Sequence, residues 1–87
     1  MTKEELLRLL LEFQERKRKL WFTKEEFFVW LWLKGYKMRF ETVARYLRKL
    51  ANEGLLVKRY RYDNSYPFVR YVEYHVNRYR VRMVLRR

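Results

Sequence analysis

The spacing of apolar residues predicts an amphipathic helix over residues 2–18. Leu6, Leu10 and Phe13 lie on one stripe of that helix, because residues three or four apart share a helix face. The segment Thr2–Glu5 has the form of a capping box, in which the threonine hydroxyl accepts from a backbone amide and the glutamate reaches back. We therefore expect the chain to open with a helix.

The stretch that follows contains the longest apolar run of the chain. The short, uncapped segment Leu20–Phe22 predicts a small edge strand. The segment Thr23–Glu26 repeats the capping-box pattern and starts a second helix, which runs to about Lys34 and stops at Gly35. This helix is apolar nearly all round, so we expect it to be buried on most faces, in part against another subunit.

A third helix is predicted over residues 40–53, with Gly54 as its stop. Its apolar residues fall within an arc of about 120°, the width of a core-facing stripe. They are Phe40, Val43, Ala44, Leu47, Leu50 and Ala51. The opposite, polar arc carries Thr42, Arg45, Lys49 and Asn52, flanked by Tyr46 and Arg48. No good N-cap residue precedes this helix.

Two later runs have the alternation of β-strands. Residues 55–62 are rich in Leu, Val and Tyr with basic residues interleaved, and in residues 68–76 apolar and polar positions alternate. The turn formers Asp63–Pro67 lie between them, which predicts a hairpin with a loop of about five residues.

The tail, residues 77–87, fits either a helix or a strand. Asn77 is a suitable N-cap for a last helix. The apolar side of that helix would consist of Val76, Tyr79, Met83 and Val84. Alternation of apolar and arginine positions favours a strand instead, and we prefer the helix. With no linker or repeat visible, the chain is expected to form one α+β domain over residues 1–87.

The charge is strongly basic and unevenly spread. The 87 residues carry 22 Lys and Arg against 10 acids, a net charge of +12. Residues 1–33 have a net charge of +1, whereas residues 34–87 have a net charge of +11. Nucleic acid is the commonest partner for such a basic footprint. The alternative is a solvated basic face on a thermostable protein, since the composition is typical of hyperthermophile proteins.

Several function classes lack their chemistry in this sequence. There is no cysteine and His75 is the only histidine, so we expect no metal site and no other cofactor. We expect no enzyme, because no nucleophile–base pair or glycine-rich phosphate loop is present. The longest apolar run, Phe27–Leu33, is far shorter than the roughly 20 residues of a membrane span. No signal peptide is visible, so we expect a cytoplasmic protein, associated with the nucleoid or, if viral, with the host cytoplasm.

One stretch of the sequence resembles a known family. The run Thr42–Leu56 contains a Thr-Val pair, a spaced Leu-x-x-Leu and a Glu-Gly-Leu that leads into a basic strand. It resembles the recognition helix and first wing strand of winged helix-turn-helix proteins, namely the arsenic-repressor-type and antibiotic-resistance-type regulators. The segment Tyr74–Asn77 is similar to the end of their second wing strand. The resemblance covers roughly residues 20–77, although the second helix is unusually aromatic and the turn before the third is long.

The resemblance implies a three-helix core with a two-stranded wing, in which helix 40–53 enters the major groove and hairpin 55–76 is the wing. The exposed side of such a helix can reach base edges. The candidate DNA contacts are Arg39, Thr42, Arg45, Tyr46, Arg48 and Lys49 on the helix, with Arg59, Arg61 and Arg70 on the wing. For Arg45 the alternative is an ion pair with Glu41 one turn away, and for Tyr46 it is core packing.

The sequence therefore predicts a homodimeric, double-stranded DNA-binding transcriptional regulator, from an archaeon or one of its viruses. Dimerisation would use the first helix, the aromatic side of the second helix, or the tail. One alternative is an architectural protein that coats DNA without sequence preference. Another is a winged helix used for protein–protein contact through the region of Trp30 and Trp32.

Overall fold

Helices precede and follow a β-hairpin in the part of the chain that the computed structural model describes, residues 1–62 and 70–86. The elements are α1 (Lys3–Lys17), β1 (Phe22–Thr23), α2 (Lys24–Leu33), α3 (Phe40–Asn52), β2 (Leu56–Tyr62), β3 (Arg70–Val76) and α4 (Arg78–Leu85). The predicted α+β class is confirmed, with four helices and three strands in these residues. The arrangement is compatible with a winged-helix fold.

The three strands form one antiparallel sheet in the order β1-β3-β2. The register of β2 and β3 runs from Leu56 opposite Val76 to Tyr62 opposite Arg70. The predicted edge strand is present, shifted by about one residue toward the C-terminus, and it pairs with β3. The predicted loop Asp63–Pro67 lies outside the described residues.

The helix starts follow the capping patterns of the sequence. The Thr2 hydroxyl accepts from the backbone amide of Glu5 at 3.1 Å. At α2 the capping box is complete, since Thr23 accepts from the amide of Glu26 and the Glu26 carboxylate accepts from the amide of Thr23, each at 3.2 Å. Asn77 caps α4 by accepting from the amide of Arg80 at 3.3 Å, so the helical interpretation of the tail is confirmed.

The two glycines end α2 and α3, as the sequence predicts. Gly54 has φ of +79°, a conformation in which any other residue is strained. Its amide donates to Ala51 and the next amide, of Leu55, donates to Leu50, at 3.1 and 3.0 Å. This is the Schellman motif, which satisfies the last free carbonyls of a helix. Gly35 ends α2 in the same way.

An aromatic cluster is at the centre of the core. Phe13, Phe22 and Phe27 are almost fully buried. The Phe13 ring meets the other two edge to face at 5.1 and 5.3 Å between centroids, the preferred geometry for aromatic pairs. The predicted stripe of α3 faces this core, with Val43, Leu47 and Leu50 buried and Phe40, Ala44 and Ala51 half-buried.

The burial of two helices differs from the prediction. In α2, Phe27 and Leu31 are buried and Phe28 and Trp30 on the two flanks pack half-buried against the core, so one side of the helix is exposed within the protomer. In α4 the fully buried residue is Val81, whereas Tyr79 and Met83 are exposed. The sequence of the tail is compatible with both a strand and a helix. The side of α4 that is buried is the one that packs against α1, and it differs from the predicted side.

Candidate nucleic-acid interface

The solvent face of α3 is centred on Arg45. Glu41, Arg45 and Arg48 are all exposed along that face, and Lys49 is exposed at its edge. Arg45 forms no ion pair in the described part of the chain, so the alternative pairing with Glu41 is not observed there. Within the described residues, the helix therefore presents an exposed guanidinium without an ion pair on its solvent face.

The other predicted residues of α3 lie to one side of this face. Arg39 is exposed at the N-cap position of α3 and makes no side-chain cap. Thr42 is half-buried, and Tyr46 is half-buried against the core. Tyr46 and Lys49 line a small cavity of about 170 Å³ beside the start of α1. The alternative of core packing for Tyr46 is thus what the structure shows.

A groove of about 440 Å³ separates α3 from the sheet. We call it the α3–sheet groove. Its charged lining consists of the basic residues Lys24, Arg48, Lys58 and Arg70 and the acidic residue Glu41. None of the four basic residues forms an ion pair with another described residue. Four cations against one carboxylate make the groove an attractive site for a polyanion.

Aromatic rings of the groove lining contact three of these cations. Two of them lie over the Tyr60 ring, with Lys58 Nζ at 5.4 Å and Arg70 Cζ at 4.4 Å from its centroid. Lys24 lies over the ring of Phe40 at 5.6 Å. Cation–π contacts of this kind restrain a long basic side chain without neutralising its charge.

Tyr74 contributes a neutral hydroxyl group to the same groove. Its side chain is 3% exposed. Burial raises the pKa of its phenol above the ordinary value, although the nearby charge of Arg48 acts in the opposite direction. The residue therefore stays protonated at neutral pH and adds no negative charge beside the basic side chains.

Arg59 and Arg61 lie on the opposite face of the sheet. Side chains alternate between the two faces of a strand, so these residues of β2 point away from the groove that Lys58 and Tyr60 line. Arg59 Nε donates to the Glu73 carboxylate at 3.0 Å, and the Arg61 guanidinium is 3.9 Å from the same carboxylate. Glu73 is 4% exposed. It is a buried counter-charge for both arginines.

The structure thus brings Arg48 and Arg70 together in one groove and places Arg59 and Arg61 apart from it. Sequence reasoning missed Lys24 and Lys58 of the same groove. The position of Lys58 follows from strand parity once the register is known, because Lys58 is opposite Tyr74 on β3. No sequence signal marks Lys24, which reaches the groove only through the packing of α2 against α3.

Other kinds of site are not evident in the described ranges. No group of three or more His, Asp or Glu residues there is placed to hold a metal ion. Residues 1–62 and 70–86 also include no helix with the length and apolar character needed to cross a membrane.

No protein-family model, curated protein or solved structure matches this chain. Its class is defined by its own geometry, as an α+β protein whose three-stranded antiparallel sheet and third helix enclose a basic groove.

Proposed function

We propose that the protein is a winged-helix transcriptional regulator that binds double-stranded DNA, with α3 in the major groove and the β2–β3 pair as the wing. The observation that carries the proposal is the α3–sheet groove, in which, among the described residues, four basic side chains without an ion pair face a single carboxylate. A helix that enters the major groove leaves a phosphate backbone along each of its sides. The basic side chains of the groove would contact the phosphates of one of these backbones.

Base recognition is assigned to the solvent face of α3. Arg45 is central on that face, exposed and free of the Glu41 pair. An arginine in the major groove can donate two hydrogen bonds to one guanine, which distinguishes it from other bases. Lys49 lies one turn further along the helix and extends the same footprint. If the protein acts as a dimer, two such helices would recognise half-sites about 34–36 Å apart.

The first experiment measures binding to a labelled random-sequence duplex across a salt series. Four phosphate contacts correspond to a slope of about −3 to −4 in a plot of log affinity against log salt. Replacing Arg48 and Arg70 by alanine should lower the magnitude of that slope by about 2, since each lost phosphate contact removes about one unit.

The matched control replaces Arg78 and Arg86, two exposed arginines of the tail, by alanine. It changes the net charge equally but leaves the groove intact, so the slope should stay close to that of the wild type. Loss of affinity in this control alone would place the phosphate contacts on the tail. Absence of binding even at low salt would refute the proposal.

A second measurement separates a regulator from an architectural DNA-coating protein. Selection from a random duplex library should enrich a preferred sequence. Replacing Arg45 and Lys49 by alanine should remove the preference while retaining much of the binding to random DNA, because base contacts specify and phosphate contacts position. A library that shows no enrichment would favour the architectural alternative.

A further inference from the structure

One side of α2 carries an apolar stripe that is largely exposed. We call Val29, Trp32 and Leu33 the α2 stripe. Their exposed fractions are 53%, 45% and 80%. They lie three and four residues apart, so they form one continuous helix face. Contiguous exposed apolar surface of this kind marks an interaction site more often than a solvated face.

The other sides of α2 are already occupied. Phe27 and Leu31 are buried in the core. On one flank, Phe28 meets Phe40 of α3 edge to face at 5.4 Å. On the other, Trp30 meets Phe13 of α1 at 5.3 Å. Among the described residues, the stripe is therefore the one long face of α2 that no other element packs against, and it points about a third of a turn away from Lys24 in the α3–sheet groove.

Opposite charges mark the two ends of the stripe. Glu25 lies in the first turn of α2, is exposed, and pairs with none of the basic side chains in the described residues. Lys37 lies just beyond the other end. Its ammonium group is 4.1 Å from the centroid of the Trp32 ring and donates to the Trp32 carbonyl at 3.2 Å. The lysine is thus held over the end of the stripe before any partner arrives.

The two charges lie at opposite ends of the α2 stripe. Glu25 is in the first turn of α2, and Lys37 is in the connector beyond Gly35, with its ammonium group beside Trp32. In an antiparallel pair of α2 helices related by a two-fold axis, the Glu25 end of each protomer therefore lies against the Lys37 end of the other. Self-complementarity under a two-fold axis is the requirement for an isologous dimer interface.

We propose that the α2 stripe binds a second copy of this chain, with the two α2 helices antiparallel. Glu25 of each copy then meets Lys37 of the other, and the apolar residues of the two stripes pack against each other between these charged ends. A partner of one charge sign would leave one end of the stripe unmatched. The complementary ends also offset part of the repulsion between two chains of net charge +12. The inference goes beyond the DNA-binding proposal and does not depend on it.

The proposal is tested without DNA by sedimentation velocity over a concentration series. The wild type should show a reversible monomer–dimer equilibrium with a dissociation constant of about micromolar order, the weak end of the range for specific interfaces. Leu33→Lys should raise that constant by at least about 30-fold, since it forces a charge into the apolar part of the contact. Leu33 is largely exposed, so this variant should keep the circular-dichroism spectrum of the wild type.

Tyr79→Lys is the matched control. Tyr79 is 75% exposed on α4, and the tail is the competing surface for dimerisation. This variant should dimerise like the wild type. A wild type that stays monomeric at all concentrations, or a Tyr79→Lys variant that loses the dimer while Leu33→Lys keeps it, would overturn the proposal.

A charge exchange then tests the antiparallel arrangement itself. Glu25→Lys and Lys37→Glu should each weaken the dimer, because each puts like charges together twice across the two-fold axis. The double variant restores opposite charges at both contacts and should recover much of the affinity. If the double variant is as weak as the sum of the single changes, Glu25 and Lys37 do not meet and the arrangement is wrong.

Discussion

Arg59 Nε donates a hydrogen bond at 3.0 Å to the carboxylate of Glu73, on the face of the sheet turned away from α3. The guanidinium also lies 4.0 Å from the centroid of the Trp21 ring. Arg59 is therefore held on two sides, and part of its charge is balanced within the protein. Its neighbour Lys58 is on the other face, in the α3–sheet groove, without an ionic partner in the described residues.

This difference predicts opposite outcomes for two adjacent alanine substitutions. Lys58→Ala should weaken DNA binding about equally for all sequences and reduce the salt slope by about 1. Arg59→Ala should leave the slope nearly unchanged, although it removes the same formal charge. Salt titration of a fluorescent duplex measures both. Equal losses for the two variants would show that overall charge, and not the groove, governs binding.

Replacing the buried polar side chain of Gln14 should have a large effect on stability. It is 1% exposed, and its amide nitrogen donates to the carbonyls of Lys19 and Leu20, both at 2.8 Å. Its oxygen accepts from the buried amide of Val76 at 3.1 Å. Gln14→Leu leaves the Lys19 carbonyl and the Val76 amide without this partner, whereas the Leu20 carbonyl keeps its contact with His75, and should lower the free energy of unfolding by about 2–3 kcal/mol.

Urea denaturation measures this loss, with Glu15→Gln as the control on the next residue. Glu15 is exposed, and its carboxylate is 3.9 Å from the exposed Arg82 guanidinium, which makes a weak ion pair. This substitution should therefore change the free energy of unfolding by no more than about 0.5 kcal/mol. A Gln14→Leu protein as stable as its control would mean that the three hydrogen bonds contribute nothing net.

The capping box of α2 predicts a pH dependence of stability. Burial alone would raise the pKa of Glu26, but the hydrogen bonds from Lys19 and from the Thr23 amide outweigh it and hold the pKa below the ordinary value of 4.5. Because this pKa is lower in the folded state, the stabilisation is fully present above pH 4.5 and is lost as pH falls through the folded-state value.

Comparison of wild type with Glu26→Gln isolates this contribution. Glutamine retains an oxygen for the capping box but has no charge for Lys19. The difference in unfolding free energy between the two proteins should therefore be largest near neutral pH and shrink as the pH falls below 4.5. A difference that stays constant down to about pH 3 would contradict the assignment.

The end of α1 predicts a stabilising substitution. Arg18 has φ of +51° and is the only non-glycine residue with positive φ in the described residues. Such a conformation is strained for a residue with a Cβ atom. Arg18→Gly should raise the free energy of unfolding by about 0.5–1 kcal/mol. The matched control Arg16→Gly, inside the last turn of α1, should lower it by about 1 kcal/mol. Thermal denaturation distinguishes the two signs.

Much of the secondary structure could be predicted because its signals are local. A capping side chain acts on an amide three residues away, as at Thr23 and Glu26. A glycine stop acts within five residues, as at Gly54. The core stripe of α3 follows from helical periodicity alone. None of these features depends on how distant parts of the chain meet, so the order of elements was available from the sequence.

The candidate site was only partly predictable. Arg45 and Arg48 lie on the solvent face of α3, as the helical pattern indicated. The strand residues required the pairing register, because a shift of one residue exchanges the two faces of a strand. The sequence indicated Arg59 and Arg61 as the DNA contacts of β2, whereas the register shows that Lys58 lines the groove.

The set of elements, their caps and the strongly basic charge follow from the sequence alone, because they arise from interactions between near neighbours or from composition. The fold was needed to show which face of β2 meets α3, that Val81 and not Tyr79 is buried, and that the α2 stripe is exposed. These outcomes depend on long-range packing. An amphipathic pattern shows which residues of an element are apolar. The contacts between elements determine which of these residues are buried.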